Sequence, residues 1–304
     1  MSWDRVERLI GSDNLARLAD KRVAVIGLGS GGGFVALTLA MSGVGHFVLI
    51  DDDLLKETNI VRHVADRRYL GQPKVDAVAD LIRHRNPHAD VKTVIGRIED
   101  HKDALDGVDL IIAGVDGENP KYVINQVALE KLIPAVYAGV YERGEGGDVV
   151  PIQPYDGPCY ACWAAELRDE LASVKNFGER ELDYGMIGES GTLEAEPALW
   201  MHVVRVASVQ ADLALNELLR DSAIYKDMPG NTVILANAAL EIIDGQISPP
   251  YTAVWVTVDR NPDCLICGDY FRRQAGLAEE SSVSLDDLMQ ATGMIVDDEK
   301  EQKS

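Results

Sequence analysis

The sequence predicts an α/β fold: a doubly wound, largely parallel sheet with antiparallel strands added beyond it. Three observations lead there. A short β-branched run, RVAVIG at 22–27, leads straight into the glycine-rich stretch GLGSGGG at 27–33. A second run, HFVLI at 46–50, ends on an acid, Asp51. Beyond it, apolar runs and helix-period segments alternate through roughly the first 150 residues, which is the pattern of repeated strand–helix–strand units.

Taken in order, 22–27 is a buried strand, and the glycine loop passes into a helix over FVALTLAMSG, closed by Gly43. The second strand at 46–50 completes a unit of about 30 residues, the length a parallel crossover needs. Further strands are expected at 91–95, 108–114, 133–139 and 147–152. Helices are expected at 74–85, stopped by Asn86-Pro87, and at 120–131. The second half changes character. Residues 163–196 mix charge with glycine and are expected to form a mobile crossover loop. Pro197 then opens an amphipathic helix over 198–219, with apolar residues at three- and four-residue steps. Strands follow at 231–236 and 252–258. From 279 to 304 the chain is acidic and polar, which predicts a flexible tail, with 284–295 as an alternative docking segment. No internal repeat or low-complexity tract interrupts the pattern.

Composition narrows the function classes. With 304 residues and 46% hydrophobic content the chain can bury a sizeable core. Twenty-nine basic against 50 acidic residues give a net charge of −21. A nucleic-acid coat or an anionic-membrane binder needs the opposite sign. No apolar run approaches the ~20 residues of a membrane span, and MSWDRVERLIG has no signal-peptide core. A soluble cytoplasmic protein is expected, without membrane or nucleic-acid partners.

All four cysteines fall in two CxxC pairs, Cys159 with Cys162 and Cys264 with Cys267. Two such knuckles can supply four thiolates to one tetrahedral Zn²⁺, here clipping distant segments of the C-terminal half together. Two disulfides and a redox pair are the competing readings; the first sits poorly with a chain lacking a secretion signal.

GLGSGG places Gly27, Gly29 and Gly32 in a GxGxxG pattern between strand and helix. Glycines there allow a tight turn and close approach of backbone N–H groups to phosphate at the helix N-terminus. Asp51 stands where an acid accepts hydrogen bonds from a ribose. The unit is Rossmann-like and reads as a nucleotide site. A nicotinamide dehydrogenase is one reading, but no hydride-transfer site accompanies the loop.

The segments after Asp51 are IDDDLLKETNIVRHV, LGQPKVDAV and AGVDGENP. They set Asp51 and Asp53, Asn59 and Arg62, Gly71 and Lys74, and Asp116 in one order. With the contexts GPCYAC and NPDC–CG, this arrangement resembles the MoeB/ThiF/HesA family of adenylating enzymes, relatives of the ubiquitin-activating enzymes. The likeness runs from Arg5 to Gly268 and makes 1–278 one adenylation domain, although length alone allows two domains.

The resemblance implies ATP-dependent activation of a C-terminal glycine carboxylate on a small ubiquitin-like or sulfur-carrier protein ending in Gly-Gly. It implies that Arg62 and Lys74 supply phosphate-binding charge, Asn59 an amide hydrogen bond, and Asp116 a ligand for Mg²⁺. Asp51, Asp53 and the three glycines would hold the nucleotide, and Arg5, with Arg8 as a near neighbour, would reach across a homodimer interface. Singly, Arg62 and Lys74 read as surface charges, Asp116 as a turn residue, His63 as a packing or surface histidine, and His202 as core or surface. Two departures stand out. Ser30 and Gly31 alter the usual loop, and 163–196 lacks the nucleophilic cysteine that some relatives carry, so no thioester is expected here. Adenylation of a peptide or of a tRNA-bound carboxylate, and a non-catalytic nucleotide-binding scaffold, are the alternatives.

Overall fold

The computed structural model describes residues 2–174, 198–243 and 245–277. Two helices, α1 (Asp4–Ile10) and α2 (Ser12–Asp20), precede the first strand, β1 (Arg22–Ile26). In β1, Val23 and Val25 belong to one core and Ala24 and Ile26 to another, and all four are buried. A strand apolar on both faces needs cover on both, which helical crossovers between parallel strands provide.

That requirement sets the layers. The parallel set comprises β1, β2 (His46–Asp51), β3 (Asp90–Ile95), β4 (Leu110–Ala113) and β5 (Ala135–Val140). One face is covered by α3 (Ser30–Met41) and α4 (Lys74–Arg85), the other by α5 (Glu118–Lys131). Three antiparallel strands extend the sheet: β6 (Gly146–Ile152), β7 (Thr232–Ala236) and, after the short hairpin β8 (Leu240–Ile243) and β9 (Gln246–Ser248), β10 (Ala253–Val256). The strand order is β10-β7-β6-β5-β4-β1-β2-β3. The remaining helices are α6 (Tyr160–Val174), α7 (Trp200–Leu218) and α8 (Asp269–Gln274). Val206, Ala207, Ala211 and Ala214 of α7 join the α3/α4 face, while Tyr160, Trp163 and Ala164 of α6 join the α5 face.

The predicted α/β architecture with its antiparallel additions is the one observed. The chain winds outward from β1 through β2 and β3 and then returns to place β4 on the other side of β1, and this reversal opens a crevice beyond the carboxyl end of β1. That crevice receives the glycine loop and the residues after β4.

One boundary is corrected. Residues 163–174, expected within the crossover loop, continue helix α6, because Tyr160, Trp163, Ala164 and Leu167 form a stripe at three- and four-residue spacing that packs on the α5 face. Residues 175–197 and the expected tail at 279–304, with its alternative docking segment, lie outside the described residues. The short α1, α2 and α8 and the β8–β9 hairpin are additions that the sequence pattern did not announce. No helix among the described residues is long and apolar enough to cross a membrane.

Candidate nucleotide site and cysteine cluster

The glycine loop is shaped by contact between backbones. Gly27 has φ +86°, a conformation side chains disfavour, and a Cβ on it would stand 2.7 Å from the Gly114 carbonyl. A Cβ on Gly32 would stand 1.9 Å from the Gly27 carbonyl oxygen. Thus the turn after β1, the first turn of α3 and the end of β4 meet without side chains between them. Gly29 differs, since nothing lies within 4 Å of its Cβ position, leaving open space over the loop. Gly32→Ala is expected to cost about 3 kcal/mol, whereas Gly29→Ala should stay within about 0.5 kcal/mol. Urea unfolding of the two variants checks the contrast.

Asp51 locks this loop. Its carboxylate accepts the Leu28 N–H at 2.6 Å and the Asp53 N–H at 2.8 Å. Each oxygen keeps lone-pair capacity for a ribose hydroxyl. Lys74, buried at the start of α4, stands 2.6 Å from Asp53 and 4.0 Å from Asp51. The hydrogen bond from Lys74 holds the Asp53 carboxyl below the usual carboxylate range, against partial burial that raises it.

Two cavities, each about 350 Å³, flank the loop. The first is lined by Gly27, Gly29, Asp51, Asp53 and Lys74; the second by Ser30, Gly32, Arg62, Lys121 and Gln210. They share Gly114, Val115 and Asp116. Asp116 therefore stands at the junction, with cationic Lys74 on one side and Arg62 on the other.

Of the sequence-predicted residues, the three glycines, Asp51, Asp53, Arg62, Lys74 and Asp116 converge on this pair of cavities. Two do not line either cavity. Asn59 accepts the Lys56 N–H at 2.9 Å within the helical turn Glu57–Arg62. Arg5 lies on α1, before β1.

Two residues passed over in the sequence, Gln210 and Lys121, matter here, as does His63. Gln210 is buried on α7 and its amide donates to the carbonyls of Ala113 and Val136 at 3.1 and 2.9 Å, tying the ends of β4 and β5. A polar residue on the apolar stripe of a helix was the available signal. Lys121 is buried on α5, 3.6 Å from Glu118 and beside the ring of Tyr160. His63, read as packing or surface, is buried and hydrogen-bonded to the glycine loop.

The four cysteines gather although 105 residues separate the partners in sequence. Their sulfurs lie within 4.8 Å of one another, with Cys159–Cys264 at 3.9 Å and Cys162–Cys267 at 3.4 Å. A tetrahedron with ~2.3 Å Zn–S bonds has edges of about 3.8 Å, so the cluster fits a zinc ion. No two of these sulfurs stand at the ~2.05 Å of a disulfide bond, and four converging on one point is the arrangement of a metal site and not of two separate bridges. Cys159 and Cys162 begin α6 on the loop after β6, and Cys264 and Cys267 precede α8.

Comparison with known proteins supports the fold. A model of the ThiF family matches residues 4–265. The SAMP-activating enzyme E1 of Haloferax volcanii is 28% identical over 268 residues, covering 86% of this chain and 85% of that protein. The molybdopterin-synthase adenylyltransferase of Salmonella typhimurium is 28% identical, over 59% of this chain and 72% of its own. Among solved structures, E. coli MccB with ATP superposes with a TM-score of 0.63 at 18% identity, covering 88% of this chain and 75% of that one, a likeness of fold. With the family model spanning the sheet, the glycine loop and three of the four cysteines, the chain belongs to the ThiF family.

Proposed function

We propose that this chain is an ATP-dependent adenylyltransferase that activates the C-terminal carboxylate of a small ubiquitin-like or sulfur-carrier protein. The convergence of Arg62, Lys74 and Asp116 on two cavities that share one wall carries the reading. One cavity offers a nucleotide loop, and the other leads to the same wall with space for a second reactant.

In the reaction, a carboxylate oxygen attacks the α-phosphorus, the bond to the β-phosphate oxygen breaks, and pyrophosphate departs, leaving an acyl-adenylate. An anion approaching a polyanion is repelled, so fixed cations must offset charge as it moves to the leaving group. Lys74 and Arg62 are those cations, one in each cavity. Asp51 and the glycine loop orient the nucleotide. Asp116 would hold Mg²⁺, which would supply neutralising charge at the phosphates.

No general base is required, since the nucleophile is already ionised. Nor is a thioester proposed: all four cysteines of the chain are in the cluster, and the serines available would need a partnering base. The homodimer implied by family resemblance would bring Arg5 of one copy to the cavities of the other.

The test is carrier-dependent exchange between ATP and pyrophosphate. Asp116→Ala is expected to lower exchange by about two orders of magnitude while leaving the unfolding midpoint near that of the wild type. Undiminished exchange in the variant rejects the assigned role of Asp116.

A further inference from the structure

The residue after Arg62 carries an inference that rests on this reading of the activity. His63 is 6% exposed, and both of its ring nitrogens are engaged. Nδ1 lies 3.0 Å from the backbone nitrogen of Ala65, which has only a proton to give, so Nδ1 accepts. Nε2 lies 2.7 Å from the carbonyl oxygen of Leu28, which can only accept, so Nε2 carries the proton and donates. The surroundings thereby select the neutral Nε2–H tautomer.

This places His63 between two parts of the site. On one side is the glycine loop, where the Leu28 peptide is held twice, its N–H by Asp51 and its C=O by His63. On the other is the segment that carries Arg62 to the second cavity. Gly33 of α3 lies against the ring, where a Cβ would come 3.5 Å from Nε2. The imidazole is thus the side-chain tie between the loop that would cradle the nucleotide and the strap that bears a phosphate-binding cation.

We propose that His63 is a positioning residue that couples the Arg62 strap to the glycine loop only while neutral, giving the activation reaction an acid limit. Protonation adds a hydrogen to Nδ1, which then faces the Ala65 N–H as donor against donor. Ala65 is buried, and its amide loses its acceptor. The charged groups acting on the ring are Lys74 at the start of α4, which opposes a second cation, and Asp51 at the end of β2, which favours one. The α3 side presents Gly33, which is uncharged, and on its own strap the neighbour is Arg62. Burial is the largest influence and holds the imidazole below its ordinary range, with the bond to Leu28 working in the other direction. The sign follows. The ring is neutral at physiological pH, and as pH falls below the ordinary histidine range the added proton on Nδ1 expels the Ala65 N–H and unseats the ring that ties the strap to the loop.

Three full-length proteins decide the matter: wild type, His63→Gln and His63→Leu. Glutamine can still donate an amide hydrogen to the Leu28 carbonyl but has no titration in this range; leucine cannot donate. Exchange is measured from about pH 8 to pH 5. The expected result is an acid limb in kcat/KM for ATP in the wild type and its absence in His63→Gln. At neutral pH the glutamine variant should keep activity within a few-fold, whereas His63→Leu should lose about tenfold or more through misplacement of Arg62. Nitrogen NMR of the wild-type ring should show a neutral Nε2–H imidazole at neutral pH.

An acid limb that persists unchanged in His63→Gln overturns the proposal. So does an Nδ1–H or cationic ring at neutral pH. If the wild type shows no exchange but the ring is Nε2–H, it is the activity reading that fails. The coupling is then judged by calorimetry of ATP binding against pH, where a profile identical in wild type and His63→Gln rejects it.

Discussion

Replacing Lys74 by alanine is expected to lower carrier-dependent exchange by about two to three orders of magnitude, the cost of removing a preorganised charge from a developing anion. The ammonium is buried, and its position is enforced from two directions by Asp51 and Asp53. Lys74→Arg should recover little, because a planar guanidinium has a different shape and donor geometry from a point charge held at 2.6 Å. The fold should survive the loss, since Asp51 still accepts both backbone N–H groups of the loop.

A second signature follows from Asp53. Its carboxyl sits low because Lys74 donates to it, so the stability it contributes is present at neutral pH and fades as pH falls through its depressed value. Without Lys74 that contribution, and the acid fading that goes with it, should disappear, so the gap between the two proteins should narrow as pH falls. Thermal unfolding of both proteins between neutral and acidic buffers would show it, and coincident acid profiles would reject the pairing.

Disruption of the cysteine cluster should have the largest effect on stability. Cys162→Ser, or prolonged treatment with a strong chelator, is expected to lower the melting temperature by about 10 °C or more. Structural zinc contributes several kcal/mol, and each kcal/mol is worth about 2–4 °C in a domain of this size. Metal analysis should find one zinc per chain in the wild type and a substoichiometric amount in the variant. Equal zinc content in the two, or equal melting temperatures, would remove the metal from the account. Exchange activity should fall only to the extent that the protein unfolds at the assay temperature, because no cysteine lines either cavity.

Much of this fold was legible because its strands are short, β-branched and bounded by punctuation. β1, the glycine loop, α3 and β2 could be placed from RVAVIG, GLGSGGG and HFVLI, and the end of Lys74–Arg85 from Asn86-Pro87. The elements that escaped notice lack such a signal. Helices α1 and α2 are only 7 and 9 residues long, and of their residues Leu18 alone is buried. Helix α6 did carry a stripe, but the charged residues between Trp163 and Val174 masked it. In the site, acids and cations in fixed order could be recognised together. Roles that depend on the partner of a single buried polar group could not: His63 and Gln210 are defined by the carbonyls of Leu28, Ala113 and Val136, which chain distance hides.

The contact of Gly27, Gly32 and Gly114 has a further consequence for how this sequence can vary. The atoms that collide are main-chain atoms on both sides. A clash against a side chain can be relieved by trimming that side chain, but here there is nothing to trim. A selection for suppressors of Gly32→Ala should therefore return reversion to glycine and general stabilisers elsewhere in the sheet, with no compensating change at positions 27 or 114. The turn is thus closed to paired drift, and its geometry is inherited as a unit.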